Sequence, residues 1–431
     1  MRQFLLLILI PLLSFAGKST PSVSELNLKD FPGIYLVAKP TKTTIHAFGT
    51  TDRSNKRFID SSTQFLICSL TKQFTAVAVI KLLYERQNPK FRPSNKEEIV
   101  RFIQEQLHAP ISKILNCNDP IWEGKAPDWI DHITLHQLLT HTSGVPDPSY
   151  EESFELKHLT NEDPSRLKLV SLFKEKKLDF QPGGQWKYSN SGYLLIGFII
   201  ERLSGMDLNQ AFETLLFKPS EMSSTHLIVD GRFDTLRNRF PDLAMGHGWN
   251  LFAETLQLQE QNLFVNMTYP WSAGGVISTV EDLHKWNLAL FKSNKILPSS
   301  ITKMITQEHV QVKKDLFYGY GIGIRAGNYP LRYEHSGSIP GFKSGLYYYP
   351  DDDISVVWLT NVSERPEQVL EIKQNLNKQL SDISDPKKKA IFEKEFINKE
   401  YPFFLKHKGQ FEVDKTLLQE IDAELQNTSY K

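Results

Sequence analysis

The chain has 431 residues, of which 40% are hydrophobic and 23% are charged. These fractions are typical of a soluble globular protein and exclude both a disordered chain and a polytopic membrane protein. Lys and Arg together number 50, as do Asp and Glu, so no net charge is available to attract nucleic acid or anionic lipid. A prior of about 100 to 200 residues per domain predicts about two or three domains.

The N-terminus carries a short apolar run. Arg2 precedes the apolar residues 4–13, and Ser14-Phe15-Ala16 then offers small residues at the two positions that a signal peptidase reads. The run is too short to cross a bilayer, which needs roughly 20 residues. We therefore predict a cleavable signal peptide at residues 1–16 and an exported protein, periplasmic or secreted. An uncleaved membrane anchor is the alternative.

The next elements change from strand to helix. Residues 34–38 and 44–48 are two β-prone runs that predict a hairpin. From Ser69 onward the spacing of apolar residues predicts a helix. The middle of the chain predicts mainly helices and long loops, with helices at residues 135–139, 193–203 and 208–217.

Strand-like runs return in the last third of the chain. Ser278 and Glu281 form a predicted capping box for a helix that runs to Leu290. The predicted strands that follow are residues 318–325, 345–349 and 354–359. Ser363 is the predicted cap of a further helix, whose apolar face consists of Val369, Ile372, Leu376 and Leu380.

This order predicts an α/β (α+β) fold: an antiparallel sheet built from both chain ends and flanked by helices, with an inserted mainly α domain. The predicted units are residues 25–86 with 270–382 for the α/β domain, 87–269 for the α domain, and 385–431 for a charged helical extension. The extension is predicted to be a surface helix, or alternatively a docking segment for a partner. We expect the site in the cleft between the two domains.

The first chemical motif is Ser69-Leu70-Thr71-Lys72. Positions i and i+3 share a helix face, so the Lys72 amine can reach the Ser69 hydroxyl. A lysine can remove the serine proton only if burial or neighbouring cations lower its pKa from about 10.4. The alternative is a solvated lysine on a helix surface.

The second motif is Tyr188-Ser189-Asn190. A nearby ammonium favours the phenolate form of Tyr188, which would let it relay a proton between Ser69 and a leaving group. The Asn190 amide could hold a substrate carbonyl or fix Lys72. An ordinary turn is the alternative interpretation.

The third motif is His335-Ser336-Gly337-Ser338, which follows a strand-like run. Gly in a strand beside a site permits the close approach of another backbone or of a ligand. The Ser338 N–H could join the Ser69 N–H in stabilising an oxyanion. The alternative is a structural histidine.

The three motifs in this order resemble the serine β-lactamase-related family, which includes class C β-lactamases, DD-peptidases and esterases. The resemblance covers about residues 25–382, including ITLHQLLTHTSGV and SAGGVISTVEDL. It implies a β-lactamase/transpeptidase-like fold and a serine hydrolase that forms an acyl-enzyme on Ser69. It also implies that Lys72 and Tyr188 share the acid and base roles. The implied substrates are D-amino-acid peptides, esters or β-lactams. The resemblance implies no metal or other cofactor. The residues that would line the pocket are Asn190, His335, Ser336 and Gly337.

Some residues depart from the family pattern. His335 stands where class C β-lactamases have a lysine, so we expect a group that is only partly charged near neutral pH. Cys68 stands where a small residue is usual, and we expect Cys68 and Cys117 to be free thiols. His141 belongs to the family pattern, and we expect it to be structural. The alternative function is a non-catalytic or slowly deacylating penicillin-binding or sensor protein.

Overall fold

The structure is a computed structural model, and it describes the chain in segments. They are residues 32–52, 57–86, 95–150, 165–231, 233–250, 257–260, 267–339, 341–362 and 385–395, with 374, 378, 380, 381, 383, 418, 419, 421 and 422. Residues 1–16 and the cap at Ser363 lie outside these segments, so the signal peptide and that helix stay predictions. In the described part of the chain, every helix is too short or too polar to span a bilayer.

The main sheet has eight strands, and each neighbouring pair is antiparallel. The strands of the described segments are β1 Gly33–Lys39, β2 Lys42–Phe48, β3 Phe65–Leu66, β4 His226–Leu227, β5 His247–Asn250, β6 Gln257–Glu260, β7 Val276–Ser278, β8 Val310–Lys313, β9 Leu316–Tyr318, β10 Gly323–Arg325, β11 Arg332–Ile339, β12 Phe342–Tyr349 and β13 Ile354–Thr360. The order in the main sheet is β2-β1-β13-β12-β11-β10-β9-β8. Both chain ends therefore contribute to one antiparallel sheet, which confirms the predicted fold class.

Helices cover the inner face of this sheet and fill the middle of the chain. The helices of the described residues are α1 Thr71–Glu85, α2 Lys96–His108, α3 Leu135–Leu139, α4 Arg166–Ser171, α5 Asn190–Ser204, α6 Leu208–Phe212, α7 Phe233–Leu236, α8 Trp271–Gly274, α9 Val280–Asn287, α10 Ser299–Ile305 and, in the C-terminal extension, α11 Pro386–Glu395. Helix α1 is buried on nearly every side, from Thr71 to Leu83. A helix enclosed in this way lies in the core rather than at the surface. The predicted domain boundaries stay a prediction.

The strand predicted at residues 318–325 is wrong as a single element. Strand β9 ends at Tyr318 and β10 begins at Gly323, and the Gly319 N–H donates to the Ile322 carbonyl across the turn between them at 2.8 Å. Gly321 has a φ of +71°, and a Cβ there would lie 2.6 Å from the Lys72 carbonyl oxygen. The turn therefore brings the sheet into backbone contact with α1, and glycine permits both the φ and the approach.

The predicted capping box at Ser278 is also wrong, by one residue. The side chain of Thr279 caps α9, because its Oγ1 accepts from the Asp282 N–H at 3.2 Å. Ser278 is instead the last residue of β7, and its hydroxyl lies 2.7 Å from that of Thr225. Strand pairing of Ser278 with Phe65 holds it outside the helix.

A short described part of the C-terminal extension packs on the outer face of the sheet. Leu418 and Ile421 join an apolar cluster there with Tyr35, Tyr347, Tyr349, Ile354, Val356 and Trp358. Beside them the Arg332 guanidinium donates to both carboxylate oxygens of Asp422 at 3.0 and 3.1 Å, and the Tyr349 hydroxyl donates to the same carboxylate at 2.9 Å. This buried ion pair ties the extension to β11 and β12. Binding of a partner by the extension stays a prediction.

Removing the Asp422 carboxylate tests this attachment. We expect Asp422→Ala to destabilise the docked segment by about 3 kcal/mol, the lower end of the range for breaking a buried ion pair, because Glu334 still pairs with Arg332. Faster hydrogen exchange at Leu418 and Ile421 would report the change. The exposed pair of Arg239 with Asp230 provides the control, and Asp230→Ala should cost less than about 1 kcal/mol. Equal effects of the two substitutions would contradict the assignment.

Candidate active site

Ser69 lies in a tight turn at the start of the buried helix. Residues Cys68–Leu70 form one 3-10 turn that leads directly into α1, so the predicted helix start is right to within two residues. Cys68 and Leu70 are buried, whereas Ser69 is partly exposed. Cys68 has a φ of +53°, which is unusual for a residue with a side chain and marks local strain. The turn therefore presents the Ser69 hydroxyl at the surface of the core.

Both cysteines are free thiols, as predicted, with Cys68 buried and Cys117 exposed. Burial raises the pKa of the Cys68 thiol far above its ordinary value, so the thiol stays neutral. Its position beside Ser69 therefore adds packing but no competing nucleophile.

Lys72 is buried, with 0% exposure, and three oxygen atoms surround its amine. Nζ lies 3.2 Å from Ser69 Oγ, 2.8 Å from Asn190 Oδ1 and 2.7 Å from the Ala273 carbonyl oxygen. Loss of hydration lowers the pKa of Lys72 to about 7, and the negative charge of Asp147 opposes that shift. The solvated-lysine alternative is thereby excluded, and a fraction of this amine is neutral near pH 7.

The second motif lies at the N-terminus of α5. The Ser189 hydroxyl caps that helix by accepting from the Gly192 N–H at 3.2 Å, and Asn190 is its first residue. The Tyr188 ring lies beside the amine, with Lys72 Nζ 4.8 Å from the ring centroid. Tyr188 and Asn190 therefore flank Lys72, and the triplet is a helix cap rather than an isolated turn.

The third motif lies within β11 and runs alongside the nucleophile turn. His335 and Gly337 are buried, and Ser336 and Ser338 are exposed. A Cβ at Gly337 would lie 2.5 Å from the Ile67 carbonyl oxygen and 2.9 Å from Cys68 Cβ, so only glycine permits this approach. The strand is thus in contact with the residues just before Ser69. The oxyanion role of the Ser69 and Ser338 N–H groups stays a prediction.

His335 is a neutral ring with both nitrogens engaged. Its Nδ1 lies 2.7 Å from the Ser336 carbonyl oxygen, and its Nε2 lies 3.0 Å from the Tyr318 hydroxyl. Burial, with a further contribution from the Lys72 charge, lowers the pKa of His335 to about 4. The expectation of a partly charged group near neutral pH is therefore wrong, because the sequence pattern did not reveal this burial.

Sequence analysis missed two residues that hold Asn190. Asp147 Oδ2 accepts from the Asn190 N–H at 2.6 Å, and Asp147 Oδ1 accepts from the Ser149 hydroxyl at 2.6 Å. Because the Ser149 proton is donated to Asp147, its oxygen accepts from Asn190 Nδ2 at 3.3 Å. The amide oxygen of Asn190 therefore faces Lys72. The Asp-Pro-Ser sequence after the HTSG stretch is a local turn signal, but it does not reveal this long-range contact.

His141 lies beside the second motif rather than apart from the site. It is buried, with a φ of +60°, and its ring centroid lies 4.2 Å from that of Tyr188. Its Nδ1 accepts from the Ser189 N–H at 3.1 Å. The ring thus packs against the second motif and accepts a hydrogen bond from it, which agrees with a structural role.

Comparisons with known proteins identify the family of this chain. The Beta-lactamase family model matches residues 25–380. The chain is 27% identical to "Penicillin-binding protein 4*" of Bacillus subtilis over 336 residues, which are 75% of this chain and 66% of that protein. It therefore spans just under two thirds of that curated relative.

Two solved structures have the same fold. A penicillin binding protein from Bacillus halodurans is 25% identical, with a TM-score of 0.61 over 80% of this chain and 97% of the other. A D-stereospecific amidohydrolase from Streptomyces is 21% identical, with a TM-score of 0.61 over 80% of this chain and 94% of the other, and this likeness concerns the fold alone. The family match over most of the chain, together with the geometry around Ser69, leads to one conclusion: the chain belongs to the Beta-lactamase family.

Proposed function

We propose that this protein hydrolyses amide or ester bonds through an acyl-enzyme on Ser69, with neutral Lys72 as the base that accepts the serine proton. One observation carries the proposal: the Lys72 amine is buried between the Ser69 hydroxyl and two oxygens that can only accept hydrogen bonds. A neutral amine has two N–H groups and one lone pair. The N–H groups satisfy Asn190 Oδ1 and the Ala273 carbonyl, so the lone pair is directed at Ser69.

Proton transfer in this geometry needs no rearrangement. The Ser69 proton moves to Lys72 Nζ as Oγ attacks the substrate carbonyl, and the resulting ammonium still has a partner for each of its three N–H groups. Tyr188, beside this ammonium, passes a proton to the leaving amine or alcohol and regains one from Lys72. Water then attacks the acyl carbonyl and gives one proton to Lys72 Nζ, which returns it to Ser69 Oγ as the second product leaves, so Ser69 is restored. In the alternative order Tyr188 accepts the serine proton first, and the experiments below test that order as well.

The neutral His335 supports uncharged amides and esters as substrates in preference to carboxylate-bearing β-lactams. Its two nitrogens are engaged by Ser336 and Tyr318, so the ring offers neither a positive charge nor a free N–H to a substrate carboxylate. The D-stereospecific amidohydrolase from Streptomyces shares the fold, and its name describes hydrolysis of amides by that protein. For location, the apolar run at residues 4–13 supports export to the periplasm or the medium.

The second candidate is a penicillin-binding protein that acylates but deacylates slowly. The names of the relatives in Bacillus subtilis and Bacillus halodurans favour it. Repeated turnover of a chromogenic short-chain ester would support the hydrolase, whereas one equivalent of released chromophore followed by a stable adduct would support the second candidate.

The nucleophile is tested by covalent labelling with a fluorophosphonate. Ser69→Ala should lose both the adduct and the turnover while remaining folded, because the two side chains are similar in size. Lys72→Met, which keeps the buried volume, should slow labelling by about 10²- to 10⁴-fold. Ser171→Ala on the exposed face of α4 is the control and should label like the original protein. An adduct retained in Ser69→Ala, or mapped to Ser189 or Ser336, would contradict the assignment.

The pH dependence tests the base. Since the neutral amine is the active form and the pKa of Lys72 is about 7, kcat/KM for an uncharged ester should fall as pH falls below about 7. The Asp147 carboxylate favours the ammonium, so Asp147→Asn should move this acid limb to lower pH. Asp119→Asn removes another buried carboxylate, paired with Arg202, and should leave the limb in place. A limb that stays fixed or rises in Asp147→Asn would refute the role of Lys72.

A further inference from the structure

We propose that Tyr318 is a positioning residue that fixes the tautomer of His335 and so holds strand β11 against the second motif. The geometry is a directed chain of buried hydrogen bonds between the Ser189 amide and the Ser336 carbonyl. This inference concerns the same site as the proposed function and uses that function for its kinetic readout. Its spectroscopic readout does not depend on any activity.

The direction of the chain follows from its two ends. A carbonyl oxygen can only accept, so His335 Nδ1 must carry a proton to bond Ser336 O at 2.7 Å. At the other end the Ser189 N–H can only donate, so His141 Nδ1, 3.1 Å away, must lack a proton. Burial lowers the pKa of both imidazoles, so each ring carries one proton near pH 7. His335 is therefore the Nδ1–H tautomer and His141 the Nε2–H tautomer.

The Tyr318 hydroxyl joins these two rings. Its proton is donated to the bare Nε2 of His335 at 3.0 Å, and its oxygen accepts from the Nε2–H of His141 at 3.3 Å. The neighbouring Tyr193 hydroxyl donates its own proton to the Leu139 carbonyl at 2.9 Å and does not compete as a donor to His335. If Tyr318 directed its proton elsewhere, two lone pairs would face each other across the 3.0 Å contact. The Tyr193 oxygen also lies within hydrogen-bonding reach of the Tyr318 hydroxyl, but only a proton directed at His335 Nε2 gives each imidazole nitrogen a compatible partner.

This chain of hydrogen bonds connects the second motif with strand β11. Ser189 lies between Tyr188 and Asn190, and Ser336 lies two residues before Ser338 in β11. The side chains that connect them are nearly inaccessible to water, with exposures of 1% for His141, 6% for Tyr318 and 8% for His335. In such surroundings an unpaired donor or acceptor is costly, so the chain has a strong preference for one arrangement. It therefore sets the spacing between the proton-transfer groups and the strand that carries Ser338.

Tyr318→Phe removes only the central hydroxyl. His335 Nε2 then has no donor and His141 Nε2–H has no acceptor, so the His335 ring can rotate or exchange its tautomer. We expect kcat for an uncharged ester to fall about ten- to hundredfold, because small displacements of positioned groups have effects of this size, with KM changing much less. Tyr320→Phe is the matched control, because it removes a buried hydroxyl 2.8 Å from His136 Nδ1 in the same glycine-rich turn. It should leave kcat within about twofold.

The tautomer is measured directly by ¹⁵N NMR of histidine-labelled protein, with the His335 signals assigned by their loss in His335→Gln. The unsubstituted protein should show protonated Nδ1 and bare Nε2 at His335 near pH 7. Tyr318→Phe should shift His335 toward a mixture of tautomers, and Tyr320→Phe should not.

An Nε2–H tautomer of His335 in the unsubstituted protein would overturn the inference without any variant, and so would an unchanged kcat in folded Tyr318→Phe. Absence of hydrolysis in the unsubstituted protein would instead count against the proposed function, and the tautomer measurement would still decide this inference.

Discussion

The buried amine of Lys72 is the group around which the rest of the site is arranged. Helix α1 supplies the lysine, α5 supplies Asn190 and α8 supplies the Ala273 carbonyl, so three separate elements meet at one nitrogen atom. Burial of a charge without partners is very costly, and here the cost is limited by three acceptors and by a lowered pKa. The same burial produces the neutral form that a base requires. Stability of the core and reactivity of Ser69 therefore depend on one arrangement.

Close backbone contacts fix the relative positions of the elements in that arrangement. Gly321 brings the β9-β10 turn against the carbonyl of Lys72, and Gly337 brings β11 against the carbonyl of Ile67. The sheet thus touches the nucleophile turn and helix α1 without intervening side chains. The hydroxyl of Ser344 adds a hydrogen bond of 2.7 Å to the same Ile67 carbonyl. A rigid frame of this kind suits a site whose reacting groups must be held within about 0.5 Å of their working positions.

Sequence reasoning predicted what depends on local spacing. The i, i+3 pair of Ser69 and Lys72 at a helix start, and the contribution of both chain ends to one sheet, follow from periodicity and motif order. Sequence reasoning failed for the features that depend on tertiary contacts. Asp147 supports Asn190 across a loop, and nothing in its immediate sequence reveals that contact. The charge of His335 depends on its burial, and the turn that separates β9 from β10 depends on the approach of α1.

Direct titration of Lys72 tests the central claim most closely. The chemical shift of its Cε in ¹³C-lysine-labelled protein, assigned by comparison with Lys72→Met, follows the charge of the amine as pH is varied. The account predicts a midpoint near the value of about 7 that burial imposes. A midpoint near the ordinary lysine value of about 10.4 would contradict it, because too little neutral amine would then be available to accept the Ser69 proton.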